Sequence, residues 1–375
     1  MLTRLHWTFA LLLLAGTMAQ GDEPDWPTLP FTSHSAFQAV DASGAATFPL
    51  NDPVRMRGVV LNRPADMLNA YAAAPGYLGG IWQTFIETDQ IGDAGGTALW
   101  MGQYIGRIVE NHPAGSYTDE EWVAELDRLS HNADTLRRFR PGDVVEIRAR
   151  APGMFFRGKT NINEQHSNAP QQDFDVVLIA AGDGPPAPTT ITLSDLKDAA
   201  DEVIFDANRQ TGPERYQGTL VRIEDVTFVD SNAWGPGENP IIEDATGRTF
   251  PVLLGVSRCF AMYDAPTAPF DIVGILDQED LVGDDGWTDA YRLWVMGYDG
   301  TSFVIPSAPG DCDCDGDVDL ADAAHLQTCF AGPGQAPNDL WCAGLDADFD
   351  GDIDLDDSDA LIRCVGGPNQ PEACN

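Results

Sequence analysis

Basic residues are scarce: 21 Lys and Arg stand against 59 Asp and Glu in 375 residues, leaving a net charge of −38. Strong phosphate binding needs clustered cations, so this balance argues against nucleic acid as a partner. An acidic surface also has no attraction to anionic membranes. Cysteine is absent from the first 258 residues. Long hydrophobic runs are missing too: the apolar stretch within MLTRLHWTFALLLLAGTMAQ is short, and nothing later approaches the roughly 20 residues a membrane-spanning helix needs. Catalytic signatures are equally thin. There is no G-x-S-x-G elbow and no H-E-x-x-H helix, and the six histidines are scattered. Carboxylates are so abundant that no catalytic pair stands out, and no catalytic residue is assigned.

The N-terminus has the layout of a secretory signal over residues 1–19: Arg4, then Leu11 to Leu14 in the apolar run, then Thr17-Met18-Ala19 as small residues for cleavage. The mature protein is expected to be exported, in an extracellular or cell-surface setting and with no membrane span. Hydrophobic residues make up 43% of the chain, enough for packed cores. Six of the seven cysteines (Cys312, Cys314, Cys329, Cys342, Cys364, Cys374) fall in the last 65 residues, which in an exported chain points to a disulfide-stapled small domain. Cys259 is left alone. Six cysteines allow 15 pairings and the sequence does not choose among them; their spacing fits no common zinc pattern.

Two Pro/Gly-rich stretches, GDGPPAPTT and IPSAPG, divide the mature chain into 20–182 and 191–304, joined by a linker at 183–190, with a second linker at 305–310 leading to 311–375. In the first unit, Val54 to Asn62, Gly80 to Thr88 and Thr97 to Ile105 are rich in β-branched and aromatic residues and read as strands. A helix capped by Thr118 and Glu121 follows, with Trp122, Leu126, Leu129, Ala133 and Leu136 on one face. Strand character resumes at Arg140 to Arg150 and Asp173 to Ala181. Three strands, a helix and two strands is the order of an OB-fold, a five-stranded barrel that binds oligonucleotides or oligosaccharides. In the second unit a helix carrying Leu193, Leu196, Ala200 and Val203 precedes five strand-like runs, and YQGTLVRIEDVTF resembles the first strand of OB-like modules in secreted bacterial proteins.

The run GMFFRGKT, Gly153 to Thr160, matches the phosphate-loop pattern letter for letter. Its bulky Met154, Phe155 and Phe156, and the absence of helical periodicity after it, make it a hairpin with Lys159 as a solvated charge. Trp82, Phe85, Trp100 and Tyr104 lie on the strands that OB-folds use for ligands, where stacking could hold an oligosaccharide, but barrel packing is the reading they favour. His112, His131 and His166 read as surface or hydrogen-bonded structural residues.

The acidic C-terminus is ordered, not random. Between Asp311 and Asn375 stand 16 acids and one base, Arg363. DCDCDGDVDLAD places Asp311, Asp313 and Asp315 at positions 1, 3 and 5, Gly316 at 6, Asp317 at 7, Asp319 at 9 and Asp322 at 12. Thirty-five residues later Asp346, Asp348, Asp350, Gly351, Asp352, Asp354 and Asp357 repeat the arrangement. Calcium wants six to eight oxygens, and this spacing supplies them around a glycine-permitted turn; two Ca2+ sites are expected. Each loop leads into a helix, Leu320 to Phe330 and Leu355 to Val365, while PSAPG ahead of the first loop cannot be an entering helix.

A duplicated calcium loop with only its exit helix, and Asp at position 12, resembles the type I dockerin. That resemblance implies a calcium-folded helical plug for a cohesin-like scaffold or surface protein, beside polysaccharide-degrading systems. It implies the twelve loop aspartates as ligands, and positions 10 and 11 (Leu320, Ala321, Leu355 and Asp356) as partner contacts. The fold class expected is mainly β: two OB-fold-like barrels in tandem, then a small α-helical calcium-binding domain. The function expected is a non-catalytic attachment protein. A secreted hydrolase or accessory of polysaccharide degradation, and a calcium-rigidified surface component, are the alternatives.

Overall fold

In the computed structural model the described residues are 23–63, 81–103, 117–135, 137–165, 167–168, 171–280, 286–306, 310–335, 342, 345–347 and 350–368. Residues 1–19, read from sequence as a secretory signal, lie outside them, as do Tyr104, His112, Leu136, His166 and Asp348. The chain is mainly β. Its first unit holds the one-turn helix α1 (His34–Phe37), β1 (Val54–Val60), β2 (Ile81–Glu87), β3 (Gly96–Gly102), helix α2 (Asp119–Ser130), β4 (Val144–Ala149), β5 (Met154–Phe156), β6 (Thr160–Glu164) and β7 (Phe174–Ala180). These strands form one sheet in the order β5-β6-β3-β2-β1-β4-β7, with β6 parallel to β3 and every other neighbour antiparallel.

Alternation along β1 puts Val54, Met56 and Val60 inside, while Arg55 and Arg57 face outward to Glu146 and Asp89 at 2.8 and 2.7 Å. The expected cap of α2 is present in full, because Thr118 accepts from the Glu121 amide and Glu121 returns the bond to the Thr118 amide. Trp122, Leu126 and Leu129 then enter the core, but the helix stops at Ser130, so Ala133 is not on it. The hairpin read from GMFFRGKT is β5–β6. Among the described residues, pairing in this sheet does not close, and β5 and β7 are its edges.

The second unit comprises β8 (Thr189–Ile191), α3 (Leu193–Leu196), β9 (Leu220–Phe228), β10 (Ile241–Asp244), β11 (Thr249–Leu254), α4 (Cys259–Met262), β12 (Phe270–Gln278), β13 (Tyr291–Val295), and the small pair β14 (Gly297–Tyr298) and β15 (Phe303–Val304). Here pairing closes a five-stranded barrel, β9-β10-β11-β13-β12 and back to β9, with β11 and β13 parallel. Val221, Ile223, Val252, Leu276 and Leu293 fill it. The helix expected through Val203 is a single turn: the chain leaves it at Lys197, in extended conformation, and returns through a bridge to Val203. Thr189 and Thr190, taken as linker from sequence, pair in parallel with β9.

The two β units are packed together. Leu61, Phe85 and Ala98 of the first bury against Leu220, Ile275, Trp294 and Met296 of the second. Backbones touch as well: the Gly96 amide donates to Gln217 O at 2.9 Å, and a Cβ on Gly96 would lie 2.0 Å from Gly218 O, so only glycine fits. Lys159 corrects the sequence reading. It is 1% exposed, with Nζ 2.7 Å from Asp277 Oδ1 and from Gln278 O, and 3.1 Å from Glu279 Oε2. A buried ammonium survives only when paired, and Asp277, fully buried, supplies the charge. Burial alone would raise the Asp277 carboxyl, yet Lys159 and Arg292 hold it below its usual range.

Helices α5 (Leu320–Cys329) and α6 (Leu355–Cys364) end the fold around a small core of Val318, Leu326, Leu345, Ile353 and Leu361. No helix among the described residues is long and apolar enough to cross a membrane.

Candidate metal centre

Both acidic loops fold on the same internal wiring. In the first, Asp311 Oδ2 accepts from the Gly316 amide at 3.2 Å and Asp315 Oδ1 from the Asp317 amide at 3.1 Å. In the second, Asp346 Oδ2 accepts from Gly351 at 2.9 Å and Asp350 Oδ1 from Asp352 at 3.2 Å. Gly316 and Gly351 take φ of 92° and 88°, the left-handed turn that position 6 requires. Position 8 ties the repeats to each other: Ile353 O accepts from Ala331 and Gly332, and Val318 O from Gly366 and Gly367, all at 3.0 to 3.2 Å. Each loop is therefore strapped to the residues that follow the other loop's helix.

Positions 9 and 12 have a second task that sequence reasoning missed. Asp319 and Asp354 are helix N-caps, accepting from Ala321 and Asp356 at 2.6 and 2.8 Å. Asp322 and Asp357 complete capping boxes through the amides of Asp319 and Asp354, and their other oxygens accept from Cys312 and Ala347 at 2.6 and 2.5 Å. The signal was present in D-L-A-D and D-L-D-D, an acid at N-cap with another at N3. A carboxylate oxygen has lone pairs to spare after one such bond, so capping leaves room for a cation.

What local structure does not account for is the remainder. Asp311 Oδ1, Asp313 Oδ1 and Asp352 Oδ1 are buried and accept no hydrogen bond. Buried carboxylate oxygens in that condition are costly unless something positive meets them. Burial, and repulsion from neighbouring aspartates against relief from Arg63, pushes Asp311 up to about 7. Burial together with Asp322 and Asp315 pushes Asp313 up to about 6. Three groups converge with ligand atoms within 4.8 Å of one another: Asp311, Asp313 and Asp315; Asp317, Asp319 and Asp322; and Asp352, Asp354 and Asp357. Hard oxygen donors alone, with neither sulfur nor imidazole among them, suit a hard divalent ion. The donor set fits calcium.

The sequence-derived partner residues are all exposed, Leu320 at 82% and Leu355 at 70%, with Ala321 and Asp356 beside them. The aromatic platform is not assembled: Trp82 and Phe85 are buried, and Phe85 packs edge-on to Trp294 at the junction. Trp100 is partly buried. His131 is held by Asp127 O at 2.9 Å. Cysteine pairing departs from expectation. Cys259 is not alone but is bonded to Cys314, position 4 of the first loop, and Cys329 to Cys342; Cys364 is disulfide-bonded as well. Among the described residues the free thiol is Cys312, buried, with Sγ 3.0 Å from Gly310 O. Sequence proximity favoured pairing within the last 65 residues, but chain folding brings α4 against the first loop. A scan of protein-family models finds no match to this chain, and a search of curated proteins finds no relative.

Proposed function

We propose that the chain is an exported attachment protein: a calcium-folded, dockerin-like C-terminal module presents two OB-like β units to a scaffold or surface partner of cohesin type. The observation that carries this reading is the duplication itself. Two loops, 35 residues apart, share the bonds accepted by the aspartates at positions 1 and 5 and leave buried carboxylate oxygens facing no donor. In this reading the aspartates at positions 1, 3 and 5 hold one Ca2+ per loop, with help from position 7 and from the capping carboxylates. The ion's role is structural: it neutralises aspartates that otherwise repel.

The OB assignment is supported by strand order. In the second unit the ring runs first-second-third-fifth-fourth strand, with third and fifth parallel, the Greek-key order of that fold. The first unit keeps the parallel third-to-last pairing and a helix between its third and fourth strands, and adds β5 and β7 at the edges. The leader, and disulfides in the acidic module, support export. Catalysis plays no part in it.

The test uses the full chain as bait against the culture fluid and cell-surface extract of the producing organism, with calcium or with chelator. Capture of one dominant protein in calcium only, lost in D315A/D350A, is expected. Equal capture in chelator contradicts the reading.

A further inference from the structure

Both β units reach into the acidic module, and they grip different loops. In the second unit the grip comes from the single turn α4. Its N-cap Arg258 donates through Nη1 to Thr328 Oγ1 at 2.8 Å and to His325 O at 3.4 Å, Cys259 is bonded to Cys314, and its C-cap Tyr263 donates through its hydroxyl to Asp313 O at 3.2 Å. These contacts fall on positions 3 and 4 of the first loop and on the helix that follows it. In the first unit Arg138 donates through Nη2 to Ala347 O, at position 2 of the second loop. Arg63 of the same unit lies near enough to the first loop to ease the Asp311 carboxyl down against burial.

The gripping residues are themselves held. Tyr263 stands edge-on to Tyr298 with ring centroids 6.1 Å apart, its carbonyl accepts from Trp234 Nε1 at 2.8 Å, and a Cβ on Gly300 would lie 2.9 Å from its ring. Arg138 adjoins Phe139, a residue of the first core, and its backbone bridges to His131 just after α2. What they grip is wired to the loop carboxylates. The Ala347 amide donates to Asp357 Oδ1 at 2.5 Å, so one residue links position 12 to Arg138, and Tyr263 holds the carbonyl of Asp313 itself. Resting on the calcium part of the reading above, we infer that the β body belongs to both ion sites: Tyr263 positions the first loop and Arg138 the second, making the acidic module a calcium-set strut across the junction of the β units. Groups that orient metal ligands without touching the ion commonly change its affinity by about 10–100-fold. Without the ion the loop aspartates repel one another, and the backbone shape that offers Asp313 O and Ala347 O to their donors is no longer enforced. Linkage makes the effect mutual: the factor by which a grip tightens calcium is the factor by which calcium tightens the grip.

Calcium titration of the metal-stripped full chain tests this one loop at a time, with D350A isolating the first loop and D315A the second. With only the first loop working, Y263F should weaken calcium about tenfold and R138M under about twofold; with only the second working, the two effects should exchange. Hydrogen exchange on chains that keep both gripping residues gives a readout that needs neither variant to fold. Calcium should slow exchange at the amides flanking Arg138 and at those of α4 in the wild type, only at α4 in D350A, and only near Arg138 in D315A. Two ions bound with affinities that Y263F and R138M leave unchanged, equal weakening of both loops by either variant, or exchange at both places indifferent to calcium overturns the strut but leaves the calcium loops standing. No calcium bound by the wild type overturns both.

Discussion

Lys159 sits in a phosphate-loop look-alike, and its surroundings decide what it does. A phosphate loop passes into a helix; this one turns between two strands, and its lysine is spent on Asp277, Gln278 O and Glu279. K159M strands a buried carboxylate with only Arg292, which costs about 3–5 kcal/mol by analogy with broken buried pairs. A clear fall in the urea midpoint at unchanged slope is expected, and an unchanged midpoint contradicts the pairing. His34 makes a second prediction. It is fully buried, with Nε2 3.0 Å from Arg57 O and Nδ1 2.9 Å from Thr97 Oγ1. A carbonyl only accepts, so Nε2 carries a proton. Burial lowers this histidine from 6.5 to about 4. Between those values the unfolded chain binds a proton that the folded chain does not. Stability from His34 is thus intact above about 6.5 and lost as pH falls toward 4, about 3 kcal/mol in all. H34Q should flatten the pH dependence of unfolding free energy across that window, by up to about 1.4 kcal/mol per pH unit; parallel profiles for both proteins refute it.

Among elements, those with a local signal were legible and those set by distant contacts were not. Strand β1 showed its alternation, α2 its capping box, and the acidic loops their oxygen spacing. Helix α3 misled, because Leu193, Leu196, Ala200 and Val203 fit a helical face while the chain in fact doubles back after one turn and pairs Lys197 with Val203. The bond from Cys259 to Cys314 was invisible for a like reason: 55 residues separate partners that only the folded second barrel brings together. At this scale the loops can be tested singly. Calcium at 100 times its dissociation constant adds about 2.7 kcal/mol per site, so D315A and D350A should each remove about half of the calcium-induced rise in melting temperature. The disulfide preorganises only the first loop. C259S should therefore weaken one of the two ion sites by about tenfold and leave the other unchanged. Equal weakening of both, or of neither, would count against a clamp on the first loop alone.

At the scale of the molecule, a sequence that reads as beads on linkers becomes a joined body. The β units share an apolar junction and a buried ion network, and the acidic module is fastened to the second barrel by a covalent bond and to the first by Arg138, which donates to Ala347 O. Charge is the reason the proposed ions suit this body. With 16 acids and one base after residue 310, the module carries strong self-repulsion that calcium would relieve. The most direct measurement is calorimetric titration of calcium into the metal-stripped full chain, alongside D315A, D350A and the double variant. The account predicts two ions per chain, one remaining in each single variant and none in the double; absence of binding at millimolar calcium, or a stoichiometry the variants leave unchanged, would contradict it.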